Sequence, residues 1–163
     1  AVGIYKNSKT HYNPYIKKDG SHSTPRLSGS RHQFLFGSNK VDTRETDFAK
    51  NVKAFTKSSK NFTKINWNGQ GTVHIDPNQS LVKGTRLSNR AWGLPVPRHY
   101  NVPSINSLWK EVVAAGVPDT KSMKQQFLCH AQGAFIKKKD WKLETGKPAT
   151  RTQWGQVVSF CNP

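Results

Sequence analysis

The chain has 163 residues, with 26 Lys and Arg against 9 Asp and Glu, a formal net charge of +17 and 34% hydrophobic residues. That length suits one domain, or one core with an appended segment, and no apolar run approaches the roughly 18 residues needed for a transmembrane segment. Such a charge points to a polyanionic partner: nucleic acid, a teichoic-acid-like wall polymer or an anionic membrane face.

The excess charge is concentrated in residues 1–100, which hold 17 basic and 5 acidic residues. Residues 1–31 are rich in Ser, Asn, Gly, Pro and Lys and read as a basic, loop-rich arm. Tyr5, Tyr12, Tyr15 and Ile16 are available to dock it. "HQFLFG" (32–37) reads as a short buried strand closed by Gly37. Asp42 and Glu45 form a D-x-x-E capping pattern, and Phe48, Val52 and Phe55 recur at helical spacing. An amphipathic helix is expected over about 43–57, with Lys50, Lys53 and Lys57 on its solvated face. In "FTKINWNGQGTVHID", Ile65 and Trp67 alternate on one arm and Val73 and Ile75 on the other. Asn68-Gly69 suits a type I′ turn between them. Residues 77–103 form a long connection held by Leu81, Leu87, Trp92 and Leu94.

Three helices are expected next. Ile105, Leu108, Trp109, Val112 and Val113 mark one face of the first, with Ser104 as N-cap, Gly116 at the end and Pro118 as the stop. Met123, Phe127 and Ala131 set the face of the second, which begins near Asp119 or Thr120. Trp154, Val157, Val158 and Cys161 set the third. The fold class is therefore α+β: a loop-rich basic part with a β-hairpin, packed on a small helical part. The organisation is 1–69 (arm, strand, helix, first hairpin strand) and 70–163, together forming one compact unit.

The chain has two cysteines, Cys129 and Cys161. They are too few for an all-cysteine zinc site and do not form a Cys-x-x-Cys pair. A disulfide between them would close the C-terminal part and imply export to an oxidising compartment. Two buried thiols in a reducing compartment is the alternative. The start "AVGIYK" fits signal cleavage after a small residue. Cys129 and His130 are adjacent on a helix, where successive side chains diverge by about 100°. A catalytic Cys–His dyad or a metal pair is therefore not expected there.

The runs Met123-x-x-Gln126-Phe127-Leu128-Cys129-His130, Trp141-Lys142-Leu143-Glu144 and Cys161-Asn162-Pro163 resemble an uncharacterised C-terminal domain family of exported bacterial proteins, notably from actinobacteria and other Gram-positives. The resemblance covers about residues 70–163 and implies export and a disulfide, but no reaction. Where that family has Leu-Glu-Pro-Trp-Arg-Pro, this chain has Leu143-Glu144-Thr145-Gly146-Lys147-Pro148, losing the aromatic ring and the bidentate Arg.

Clustered carboxylates, H-E-x-x-H, G-x-S-x-G, a Walker loop and G-x-G-x-x-G are all missing, so no metal site or cofactor is expected. Histidine acid–base chemistry with lysines beside it would suit metal-independent RNA cleavage. Its candidate residues are His32, His130 and Glu144. The candidate polyanion contacts are Lys17, Lys18, Arg31, Lys50, Lys53, Lys57 and Lys60. The leading expectation is a secreted, cationic, monomeric antibacterial protein engaging the anionic envelope of competing bacteria, with an immunity protein as a second partner. The alternatives are a toxin nuclease module and a non-toxic wall-binding module.

Overall fold

A computed structural model describes residues 40–150 and 161. Its elements in chain order are helix α1 (Thr43–Asn51), strands β1 (Phe55–Lys57), β2 (Phe62–Trp67) and β3 (Thr72–Pro77), helices α2 (Gln79–Val82), α3 (Arg86–Trp92), α4 (Ile105–Ala114) and α5 (Lys121–Gln132), and strand β4 (Trp141–Glu144). The class is α+β, as the sequence implies. The strand expected at 32–37 and the helix expected over 154–161 lie outside the described residues, apart from Cys161.

The four strands form one antiparallel sheet in the order β1-β2-β3-β4. It crosses the boundary between residues 69 and 70, because β2 pairs with β3 at Ile65–Ile75 and Trp67–Val73. Period-two alternation sends Ile65, Trp67, Val73, Ile75, Trp141 and Leu143 to the inner face, and a register shift between Phe62 and Lys64 brings Phe62 there as well; all are fully buried. Helix α5 lies against that face. Its Phe127 ring sits 5.9 Å from Phe62, 5.4 Å from Trp109 of α4 and 5.8 Å from Trp141, centroid to centroid. The Phe62 and Trp141 contacts are edge-to-face and the Trp109 contact is tilted, geometries that add to the burial energy of each ring.

Polar groups inside the core have specific partners. Gln126 of α5 is fully buried. Its Oε1 accepts from the Glu144 backbone N–H at 2.8 Å, and its Nε2 donates to the Glu144 carbonyl at 2.9 Å. One amide thus acts as a surrogate strand neighbour at the end of β4. Glu45 is also fully buried. It accepts from Thr120 Oγ1 at 2.6 Å and from the Gly146 backbone N–H at 3.0 Å. It therefore does not complete a capping box. Asp42 caps α1 through the Arg44 N–H, while Glu45 ties α1 to the N-cap of α5.

Three further expectations are corrected. Helix α1 stops at Asn51 rather than near residue 57. Trp67 Nε1 donates to the Val52 carbonyl at 2.8 Å and holds the chain as it leaves the helix. Phe55 then pairs with Trp67 in the sheet, so Lys50, Lys53 and Lys57 do not share a helical face. The hairpin loop is four residues, Asn68 to Gly71, and not a two-residue turn. Asn68 Oδ1 accepts from the N–H groups of Gln70 and Thr72, and both Gly69 and Gly71 have positive φ. Finally, residues 77–103 contain two short helices, α2 and α3. Leu81 and Leu87 anchor them, but Trp92 and Leu94 are 49% and 53% exposed.

The expected α4 and α5 form with Ser104 and Thr120 as side-chain N-caps. Cys129 and Cys161 form a disulfide, with Cα atoms 5.4 Å apart. It ties α5 to the C-terminal segment.

Candidate functional site

The last turn of α5 opens onto a groove. Gly133 ends the helix, and Phe135 and Ile136 follow at 46% and 76% exposure. Lys137, Lys138 and Lys139 come next. Trp92 of α3 is fixed beside them by an Nε1 bond to the Gln132 carbonyl at 3.2 Å. The groove encloses about 650 Å³ and is lined by Trp92, Phe135, Ile136, His130 and the Cys129–Cys161 disulfide, with Lys137 and Lys142 at its edge. Large apolar side chains kept in water beside lysines form an amphipathic surface on a strongly cationic protein.

His130 forms part of that wall. Its ring stacks on Trp141 at 8° between planes and 6.1 Å between centroids. Its Nε2–H donates to the Lys142 carbonyl at 2.8 Å. Burial holds its pKa below the ordinary histidine range, and Lys137 adds to this, while the Lys142 bond opposes it. The neutral ring is therefore the form present near pH 7.

A second cluster lies on the outer face of the sheet. Register places Thr56, Asn66, His74 and Lys142 in one row across the four strands. Asn66 Nδ2 donates to Thr56 Oγ1 at 2.8 Å. His74 Nδ1 lies 2.8 Å from Asp140 Oδ1. Asp140 has a left-handed backbone, φ 56°, a conformation that costs an ordinary residue energy and persists only where its surroundings impose it. The Asp76 carboxylate imposes it here by accepting the Asp140 N–H at 2.7 Å. Lys64 lies 3.5 Å from the other Asp76 oxygen. The bond from His74 pulls the Asp140 pKa below the carboxylate range. The result is an imidazole with Nδ1 committed to a carboxylate and Nε2 directed away from it.

The structure separates the candidates taken from the sequence. Lys17, Lys18, Arg31 and His32 lie outside the described residues. Lys50 sits in the last turn of α1, where a cation complements the helix dipole. Lys53 follows that helix, and Lys57 in β1 holds its ammonium 5.1 Å from the Phe55 ring centre. Lys60 is in the β1–β2 turn. Glu144 ends β4, with its carboxylate 3.4 Å from Lys147. It alternates with Lys142 to the outer face, whereas His130 lies behind the strand on inward-facing Trp141, so the two do not form a pair. Cys129 is consumed by the disulfide and offers no thiolate.

Sequence reasoning missed His74 and Asp140. Their only local signal is T-V-H-I-D, which puts His74 and Asp76 at i, i+2 on the polar side of a strand. Among the described residues no group of three or more His, Cys, Asp or Glu could hold a metal, and no helix is long and apolar enough to cross a membrane.

The fold and its two clusters define a small α+β domain closed by a disulfide, with a lysine-edged groove and a polar sheet face. The family model described as "Protein of unknown function (DUF2599)" matches residues 65–163. The chain belongs to that family. The match starts inside β2 and includes both cysteines, the groove's α5 wall, His74 and Asp140. No curated protein and no solved structure matches the chain.

Proposed function

We propose that this is a secreted, cationic antibacterial protein that engages the anionic envelope of competing bacteria. The observation that carries this reading is the exposed apolar group Trp92, Phe135 and Ile136, which lines one groove with Lys137 and is followed in the chain by Lys138 and Lys139. Lysines near an anionic lipid surface contribute about 1 kcal/mol each, and Trp favours the headgroup boundary. Neither term requires a spanning helix. The disulfide supports export, since such bonds persist in oxidising compartments. The +17 charge supplies long-range attraction to the envelope.

The test is sedimentation with phosphatidylglycerol and phosphatidylcholine vesicles, read beside killing of sensitive cells. The full chain binds the anionic vesicles only, and affinity falls by orders of magnitude between about 50 and 200 mM salt. Replacing Phe135 and Ile136 together with Ser weakens both binding and killing while the fold persists, because both side chains are exposed. Equal binding to both lipids, or flat salt dependence, would sink the reading. Binding without killing would leave a wall-binding module in its place.

A further inference from the structure

The His74–Asp140 pair has the parts of a general base without a protein nucleophile. Asp140 accepts from Nδ1–H and so fixes the tautomer whose Nε2 carries the lone pair. Among the described residues Nε2 makes no hydrogen bond, to a hydroxyl, a thiol or any other group. A base so arranged needs a nucleophile brought by the substrate. Lys142 is the cross-strand neighbour of His74, and Lys64, ion-paired with Asp76, is one position further along the sheet; both add positive charge to this face, which suits a phosphate in which negative charge builds up. Asp76 is partly neutralised by Lys64 and holds the Asp140 backbone. The row from Thr56 to Lys142 crosses four strands, about 14 Å at the usual strand spacing. Its ends, Thr56 and Lys142, are exposed and its centre, Asn66 and His74, is partly exposed, an extended arrangement that suits a polymer chain better than a small molecule.

We propose that this face cleaves phosphodiesters that carry a neighbouring hydroxyl, and that its substrate is the poly(polyol phosphate) of bacterial envelopes. The choice of envelope polymer rests on the function proposed above. The reaction is a transesterification. His74 Nε2 takes the proton of the substrate hydroxyl, and that oxygen bonds to phosphorus. The bond from phosphorus to the next alkoxide breaks, and water protonates the departing oxygen. The imidazolium returns its proton to solvent. The products are a five-membered cyclic phosphodiester and a new hydroxyl chain end, and nothing is oxidised or reduced. His74 is the catalytic residue and Asp140 the positioning residue.

The experiment follows cyclic phosphate by phosphorus NMR after mixing the full chain with synthetic poly(glycerol phosphate), with polyuridine in a parallel arm. The polyol polymer is cleaved. His74→Gln, whose amide can still bond to Asp140, loses at least about 100-fold in rate while binding the polymer as before. Asp140→Asn lowers the rate with binding unchanged. Poly(glycerol phosphate) with its hydroxyls methylated is bound but not cleaved by the unaltered chain, a result independent of how the variants fold. No cleavage of bound polymer overturns the proposal, as does cleavage of polyuridine alone or full activity of His74→Gln. Failure to bind anionic vesicles would instead count against the envelope-surface reading, even with cleavage intact.

Discussion

Burial of Glu45 places a carboxylate where, among the described residues, Thr120 and the Gly146 N–H are its hydrogen-bond donors. Desolvation raises its pKa, and the two hydrogen bonds oppose this without cancelling it. The folded state therefore holds this proton more tightly than the unfolded chain. The stability due to Glu45 is fully present below the ordinary glutamate pKa, about 4.3, and is lost as pH rises through the raised folded value. Glu45→Gln, which cannot ionise, removes that loss. The difference in Tm between the variant and the parent should move in the variant's favour from about pH 4 to pH 8. Melting curves across that range check it, and a difference independent of pH would show that Glu45 titrates like an exposed residue.

The β2–β3 hairpin depends on loop chemistry as much as on its apolar pairs. Asn68 fills the loop with two side-chain bonds, and Gly69 takes φ 76°. A Cβ at Gly69 would also lie 3.3 Å from the Ala54 Cβ. Gly69→Ala should therefore cost about 1–2 kcal/mol from the left-handed backbone alone, and more if Ala54 cannot shift. Urea titration measures it, and a variant as stable as the parent would mean the loop takes another turn. Termination of α1 is a matter of the same scale. The pattern Phe48, Val52, Phe55 fits a helix over its whole length, but the strand β2 offers Phe55 backbone bonds and the Trp67 indole captures the Val52 carbonyl. Propensity is a weak prior, and a sheet edge overrides it.

For the whole molecule, the disulfide is the constraint that joins distant chain segments. It spans 32 positions and removes loop-closure entropy from the unfolded chain, roughly 3–4 kcal/mol. Reduction should lower Tm by roughly 10 °C for a chain of this size. It should also weaken vesicle binding, because Cys129 and Cys161 line the groove. Thermal unfolding with and without reductant, with thiol state followed by intact mass, measures both effects. An unchanged Tm in fully reduced protein would show that α5 and the C-terminal segment do not need the bond.

Much of the fold was legible in local patterns. Ser104 and Thr120 cap the helices expected after them, and Ile65, Trp67, Val73 and Ile75 all point into the core. Strand β4 was not legible as a strand, because four residues carry too little periodicity. Its place is set by pairing with β3 and by Gln126, 18 residues upstream of Glu144. The exposed Trp92 and Leu94 were misplaced because apolar residues in a connection read as anchors when their neighbours are unknown.

Charge, the absence of a spanning apolar run, the helix caps and the two cysteines follow from residue types and short spacings, and the chain alone determined them. The meeting of His74 with Asp140 is a contact across 66 positions. The burial of Glu45 under Gly146 spans 101. No local period encodes such separations. Only the sheet register and the packing of α5 decided them, since side chains far apart in the chain acquire a shared environment when the backbone between them is folded.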